Sequence, residues 1–174
     1  IPTIGCPVNS GPILQFAAEE LQSYLTKMRG VSVEIDKREF PGDFHGIVLD
    51  SSASSTPTTF PDQPVFPDSD SFILHSKDSS LFILGGSDRA VLFGVYDYLE
   101  RLGCRWLGPG EEVVPPVNSL VLPSLNVHET PTLHWRALEL IAGITPSMVD
   151  WMAKSKLNVV WPETYAPTED LGEN

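Results

Sequence analysis

The chain has little of what usually betrays a chemical function. Only two of its 174 residues are cysteine, Cys6 and Cys104, far apart and without a CxxC pair, so neither a thiolate zinc site nor a dithiol redox motif is suggested. The two thiols pair only if their strands are neighbours. Basic residues are scarce as well: 11 Lys and Arg stand against 23 Asp and Glu, a net charge of -12. A surface of that sign repels a phosphate backbone, which argues against nucleic acid as a partner and against polyanions generally. It says little about neutral sugars. No apolar run approaches the roughly 18 residues of a membrane span. HExxH, the P-loop, GxGxxG and GxSxG are all missing, and His45, His75, His128 and His134 fall at no metal-ligand spacing. The expectation is therefore no cofactor and no metal.

What is present is a well-punctuated pattern of helices and strands. Gly11-Pro12 reads as an N-cap and first helical residue, and Leu14, Ala17, Ala18, Leu21, Leu25 and Met28 follow at helical spacing until Gly30. Val31, Val33 and Ile35 alternate like a half-buried strand, whereas Ile47-Val48-Leu49 is a continuous apolar run suited to a strand covered on both faces. Residues 51–69 are rich in Ser, Thr and Pro and read as a surface loop. The stretch "SFILHSKDSSLFILGG" carries two apolar runs around Lys77 to Ser80, the spacing of a hairpin.

A second helix is predicted over about 88–102, capped by Ser87 or Asp88 and ended by Gly103. Gly94 lies on its buried stripe, where the missing side chain would let another backbone come close. A strand-like run follows at Leu120, Val121 and Leu122. Two helices and five to seven strands make an α+β layer. From about residue 131 the pattern changes: "TPTLHWRALELI" reads as a strand, Thr145-Pro146 opens a short helix to about Ser155, and "LNVVW" reads as a buried strand. Strand, helix, strand within about 30 residues is the βαβ unit of a parallel sheet or barrel. The expected domains are residues 1–130 and 131–174.

Candidate chemistry is thin. The corner Gly85-Gly86-Ser87-Asp88-Arg89 has the strand-to-helix order of a phosphate cradle, but it lacks the lysine and hydroxyl of a P-loop, and Asp88 would place its own charge where an anion sits. Glu111-Glu112 adjoins Pro109-Gly110 in an expected loop and does not look like a positioned acid/base couple. Trp106, Trp135, Trp151 and Trp161 could stack on sugar rings, although core packing is the better reading for Trp106 beside Leu107 and for Trp151 on a helix. Trp161 ends a barrel-like strand and is followed by Pro162-Glu163, the place where barrel enzymes put ligand-contacting groups. Trp161 and Glu163 are the candidate substrate-binding residues, and no catalytic residue is assigned.

The run "GGSDRAVLFGVYDYLERLGCRWLGPGEEVVPP" resembles the N-terminal domain of α-glucuronidase-like glycoside hydrolases and the non-catalytic domain that precedes the barrel of β-N-acetylhexosaminidases. The resemblance extends back through "FAAEELQSYLTKMRGVSVEI" and forward through "PTLHWRALEL". It implies a mixed sheet with two helices packed on one face, related in fold to zincins but without a metal, followed by a truncated β-α-β piece of a TIM barrel. Arg136 matches the first arginine of the barrel's opening strand, Ala137 stands where a glycine is common, and no second arginine follows. No substrate-binding arginine is carried over.

The implied role is a non-catalytic scaffold in a glycoside hydrolase of carbohydrate degradation. The carboxyl pair that such hydrolysis needs is expected on later barrel strands, so residues 1–174 should be inactive alone. The expected partners are the missing catalytic barrel of the same chain, the parent enzyme's carbohydrate substrate, and further copies meeting through exposed apolar surface. The alternatives are an independent carbohydrate-binding module and a metallopeptidase, the latter resting on fold kinship alone. The chain opens on Ile1 without a signal-like segment, so its true start is expected to have been removed. An extracellular or periplasmic place is favoured over a cytoplasmic one.

Overall fold

A computed structural model describes residues 2–38, 44–52, 64–140 and 143–162. The chain divides into two compact units, one of Ile1–Arg105 with Glu112–Thr132, the other of Trp106–Glu111 with Leu133–Asn174.

The larger unit is built on a six-stranded mixed sheet, in the spatial order Ile35–Arg38, Thr3–Pro7, Gly46–Ser51, Ser80–Gly85, Phe72–Lys77, Asn126–Glu129. Its first strand, β1 (Thr3–Pro7), pairs in parallel with β2 (Ile35–Arg38) on one side and β3 (Gly46–Ser51) on the other. Sequence reading misses β1, because Gly5 and Pro7 depress its strand character. Every residue of β3 is buried, as its unbroken apolar run predicts. β4 (Phe72–Lys77) and β5 (Ser80–Gly85) form the expected hairpin, with Ile73 opposite Leu84 and Lys77 opposite Ser80. The two turn residues, Asp78 and Ser79, both take positive φ, 49° and 66°, the left-handed pair that a two-residue type I′ turn demands.

Helix α1 (Pro12–Arg29) has Gly11 as N-cap, Pro12 in its first turn and left-handed Gly30 at its end, where the Gly30 N–H donates to the Thr26 carbonyl. Leu14, Ala17, Ala18, Leu21, Leu25 and Met28 are buried as expected, together with Tyr24. Helix α2 (Asp88–Arg101) starts at Ser87, whose hydroxyl accepts from Ala90 N. Both helices pack against the sheet and each other, and Tyr96 of α2 donates its hydroxyl to the Glu20 carboxylate of α1 across 3.0 Å. The fold is α+β, with a mixed sheet and the two helices on one face.

Two expected strands move and one expected loop is paired. Val31 is exposed and lies outside β2, while the Val33 N–H donates to Thr26 Oγ1 and its carbonyl accepts from Gln22 Nε2. Backbone groups tied to α1 are not available for a sheet, so pairing begins only at Ile35. Leu120 to Leu122 form no strand. This segment is pinned at one end by Val117 N to Met28 O and at the other by Ser76 N to Leu125 O, and pairing with β4 starts later, at β8 (Asn126–Glu129). Between α2 and this segment, Glu111-Glu112 is no loop: β6 (Arg105–Gly108) and β7 (Glu111–Val113) make a two-stranded sheet around Pro109-Gly110, with Gly110 at φ 78°.

In the smaller unit β9 (Ala137–Leu140), α3 (Pro146–Lys154) and β10 (Val159–Pro162) form a βαβ unit, with Val159 opposite Ala137 and Trp161 opposite Glu139 in parallel register. The strand is shorter than "TPTLHWRALELI" suggests. Thr145 caps α3 by accepting from Met148 N, and Pro146 occupies its first turn. Most of the expected loop at 51–69 lies outside the described residues.

Candidate functional site

The glycine corner after β5 is where a ligand cradle would form, and the chain's own atoms pack closely against its glycines. A Cβ on Gly85 would lie 2.6 Å from Val91 N and 2.7 Å from Ser87 O, and one on Gly86 would lie 2.8 Å from Asp68 O. The glycines therefore let the start of α2 fold closely over the end of β5 and let the backbone at Asp68 approach it, as no larger residue could. Asp88 completes the closure. Its Oδ1 accepts from Ser51 Oγ at 2.5 Å, and its Oδ2 lies 2.7 Å from where a Gly11 Cβ would stand. α1 has no side-chain cap and no acid in its first turn, so Asp88 of α2 sets a carboxylate against both helix N-termini, where it complements their partial positive charge. Next to it, Arg89 reaches the buried Asp70 at 2.7 Å.

Gly94 serves close packing against a neighbour, as expected, but the neighbours nearest to it are side chains. What a Cβ would meet first is the side chains of Ile83, at 2.8 Å, and Phe72, at 3.3 Å. Of the paired glutamates, Glu112 accepts from the Tyr24 hydroxyl and from Lys27 Nζ at 3.0 Å, with Lys27 also 4.8 Å from the Tyr24 ring centre. This cluster joins α1 to β7. Cys6 and Cys104 are both free and buried, and Cys104 Sγ lies 3.9 Å from Met28 Sδ. Burial pushes the Cys104 thiol up to about 11 and the Cys6 thiol above its ordinary value.

No three His, Cys, Asp or Glu side chains converge in a metal-like group among the described residues. His75 Nδ1 lies 3.2 Å from Asn126 Oδ1 across the sheet edge. No described helix is long and apolar enough to cross a membrane.

Of the candidate substrate contacts, Trp161 lies in β10 and Glu163 lies outside the described residues. Trp151 is half-buried, and its indole N–H donates to the Trp106 carbonyl at 3.1 Å. Leu107, offered above as a sign of packing around Trp106, is exposed. Sequence reasoning missed the use of Arg136. Its Nε donates to Lys156 O at 2.7 Å and its Nη1 to Leu133 O at 2.8 Å, while its own N–H donates to Asn158 Oδ1 at 2.8 Å. The arginine thus ties the approach to β9 to the approach to β10. Positive φ at Lys156 gives no signal in the sequence, so only tertiary placement reveals the clamp.

The family model of the glycosyl hydrolase family 67 N-terminus matches residues 3–98, more than half of the chain. A search of the curated proteins found no match. Among solved structures, the chain is similar to a family GH115 4-O-methyl-α-glucuronidase with specificity for decorated arabinogalactans, at 13% identity and a TM-score of 0.71, covering 92% of this chain and 24% of that one. It is similar also to the GH20 β-N-acetylhexosaminidase of Streptomyces coelicolor A3(2), at 17% identity and a TM-score of 0.58, covering 92% and 30%. A GH138 enzyme targeting pectin rhamnogalacturonan II matches at 13% identity and a TM-score of 0.53, covering 92% and 24%. At these identities the likeness is one of fold, and the chain spans only 24% to 30% of the length of these structures.

Proposed function

The chain belongs to the glycosyl hydrolase family 67 N-terminal domains, and from that premise we propose that it is a non-catalytic scaffold within a larger glycoside hydrolase of carbohydrate breakdown. The observation that carries this reading is the closed glycine corner. At the place in the larger unit that reads most like a ligand cradle, the glycines pack tightly against the chain's own backbone at residues 68, 87 and 91, and the Asp88 carboxylate is taken up by Ser51.

The parallel β9-α3-β10 unit supports a second part of the reading, that residues 131–174 are the opening strand-helix-strand of a (β/α)8 barrel. The rest of that barrel is the scaffold's partner, and the carbohydrate substrate is the whole enzyme's. Glycoside hydrolysis needs two carboxyl groups roughly 5 to 9.5 Å apart across the scissile bond, and in a barrel they come from the ends of several strands. In this reading those groups belong to later strands. The test is turnover. Purified residues 1–174, incubated with a panel of 4-nitrophenyl glycosides and glycuronides, should release no nitrophenol above the uncatalysed rate. Clear, saturable turnover would remove the scaffold reading.

A further inference from the structure

Asp-Ser pairs occur at residues 50–51, 68–69, 70–71 and 78–79, and all of them carry the same latent chemistry. The serine main-chain nitrogen can attack the aspartate side-chain carbonyl carbon and close a five-membered succinimide, and the short serine side chain does little to obstruct it. The fold treats these pairs very differently. Asp50 is 2% exposed within β3, where Ser51 pairs with Gly85 and donates its N–H to Asp50 Oδ1 at 2.8 Å. Asp70 is 4% exposed and held by Arg89 at 2.7 Å, while the Ser71 N–H donates to the Asp68 carbonyl at 3.0 Å. Asp68 accepts from Asp70 N through Oδ1 at 2.7 Å, and its own N–H donates to Ser71 Oγ at 3.2 Å. In each of these pairs the carboxylate is already engaged.

Asp78 has none of these restraints. It is exposed at the tip of the β4-β5 hairpin, beyond the ladder that ends with Lys77 opposite Ser80. Among the described residues no hydrogen bond or ion pair holds its side chain. Asp78 and Ser79 both sit at positive φ, 49° and 66°, a conformation in which a Cβ crowds the main chain. Opening the turn relieves that crowding, so excursions that carry Ser79 N onto Asp78 Cγ meet less resistance here than inside a paired strand. We propose that Asp78 is a site of spontaneous covalent modification, at which the Asp78-Ser79 linkage rearranges through a succinimide to isoaspartate.

The rearrangement balances with water alone. Ser79 N bonds to Asp78 Cγ, the C–O bond of the protonated carboxyl breaks, and one water leaves, taking up the N–H proton. A second water opens the ring. Where it breaks the bond between nitrogen and the main-chain carbonyl carbon, Ser79 stays joined through the Asp78 side chain, a free α-carboxylate is left, and the main chain is longer by one methylene. A two-residue loop fixes the register of its strands and has no slack for an added atom, so the hairpin frays from this tip.

The inference stands apart from the scaffold reading and is tested by ageing the protein. Residues 1–174 are held for several weeks at pH 6 and 37 °C, one sample folded and one in guanidinium chloride. Both are then digested with an endoproteinase that cuts before aspartate but not before isoaspartate, and the fragments are identified by mass. Isomerisation leaves the mass unchanged, which separates it from asparagine deamidation. In denaturant the pairs should lose cleavage at comparable rates. In the folded sample, cleavage before residue 78 should be lost at least about tenfold faster than before residues 50, 68 or 70. Equal loss at any of those positions in the folded protein overturns the proposal, as does intact cleavage before residue 78 once the denatured sample has lost it. The comparison uses no substitution, so the folding of a variant does not enter it.

Discussion

Gly85 and Gly94 sit nine residues apart on the same strand-to-helix element and look alike in sequence, but the obstacles they avoid differ in kind. A Cβ at Gly94 meets the Ile83 and Phe72 side chains, whereas one at Gly85 meets the N of Val91 and the O of Ser87. Side chains can give by a few tenths of an ångström and a helix backbone cannot. Gly94→Ala gains roughly 1 kcal/mol of helix propensity against an overpacking cost of roughly 1–3 kcal/mol, so urea unfolding should show a net loss of about 1 kcal/mol. Gly85→Ala should lose more than about 2 kcal/mol in the same measurement, and an equal or smaller loss would contradict the packing described. The buried thiols make a second residue-scale prediction. With the Cys104 thiol raised from 9.0 to about 11, its protonated form is favoured by folding. That stabilising contribution is complete below pH 9 and is lost as pH rises toward 11. Native protein at pH 8 should accordingly react with a disulfide reagent far more slowly than unfolded protein at both cysteines, and rapid labelling of native Cys104 would contradict its burial.

Among the elements, the β4-β5 hairpin and the βαβ unit respond to opposite kinds of change. Asp78 and Ser79 carry the turn at positive φ without a glycine, and replacing the pair by Asn-Gly supplies residues that take that conformation with less strain. Thermal unfolding of that variant should report a net gain of about 0.5–1 kcal/mol, the relief of left-handed strain less the unfolded-state entropy that the new glycine adds. In the βαβ unit the clamp is polar, and its loss leaves groups unpaired. Asn158→Ala strips partners from Arg136 N and His134 O, at about 1–3 kcal/mol for each group that water does not satisfy. Hydrogen exchange should accelerate at β9 and β10 while the amides of β3 stay protected; loss of protection throughout β3 would show that the clamp is not local. The helices α1, α2 and α3 were legible because their signals are local: Pro12, Ser87 and Thr145-Pro146 start them, and Gly30 and Gly103 follow two of them. Strand edges were less so. Val31, Val33 and the run at Leu120 to Leu122 have the composition of strands, but α1 and Ser76 take up the neighbouring backbone groups first.

For the whole molecule, the resemblance read from "GGSDRAVLFGVYDYLERLG" and the family match over residues 3–98 arrive at the same kind of domain. Exposed Leu107, Val121, Leu133, Trp135 and Val160 keep open the expectation that copies meet through apolar surface. Light scattering at rising concentration should then show association, and a strict monomer would count against it. What could be read along the chain was the α+β class, the helices, the hairpin and the βαβ order, since apolar period, caps and turn residues act over a few neighbours. The role of each polar group could not be read in that way. That Asp88 serves the N-terminus of a helix more than seventy residues earlier, that Glu112 joins Tyr24 and Lys27, and that Arg136 spends its guanidinium on carbonyls of its own chain are decided by distance in space. A carboxylate or guanidinium has the same chemistry in a ligand site as in a strut, and only its partners distinguish the two.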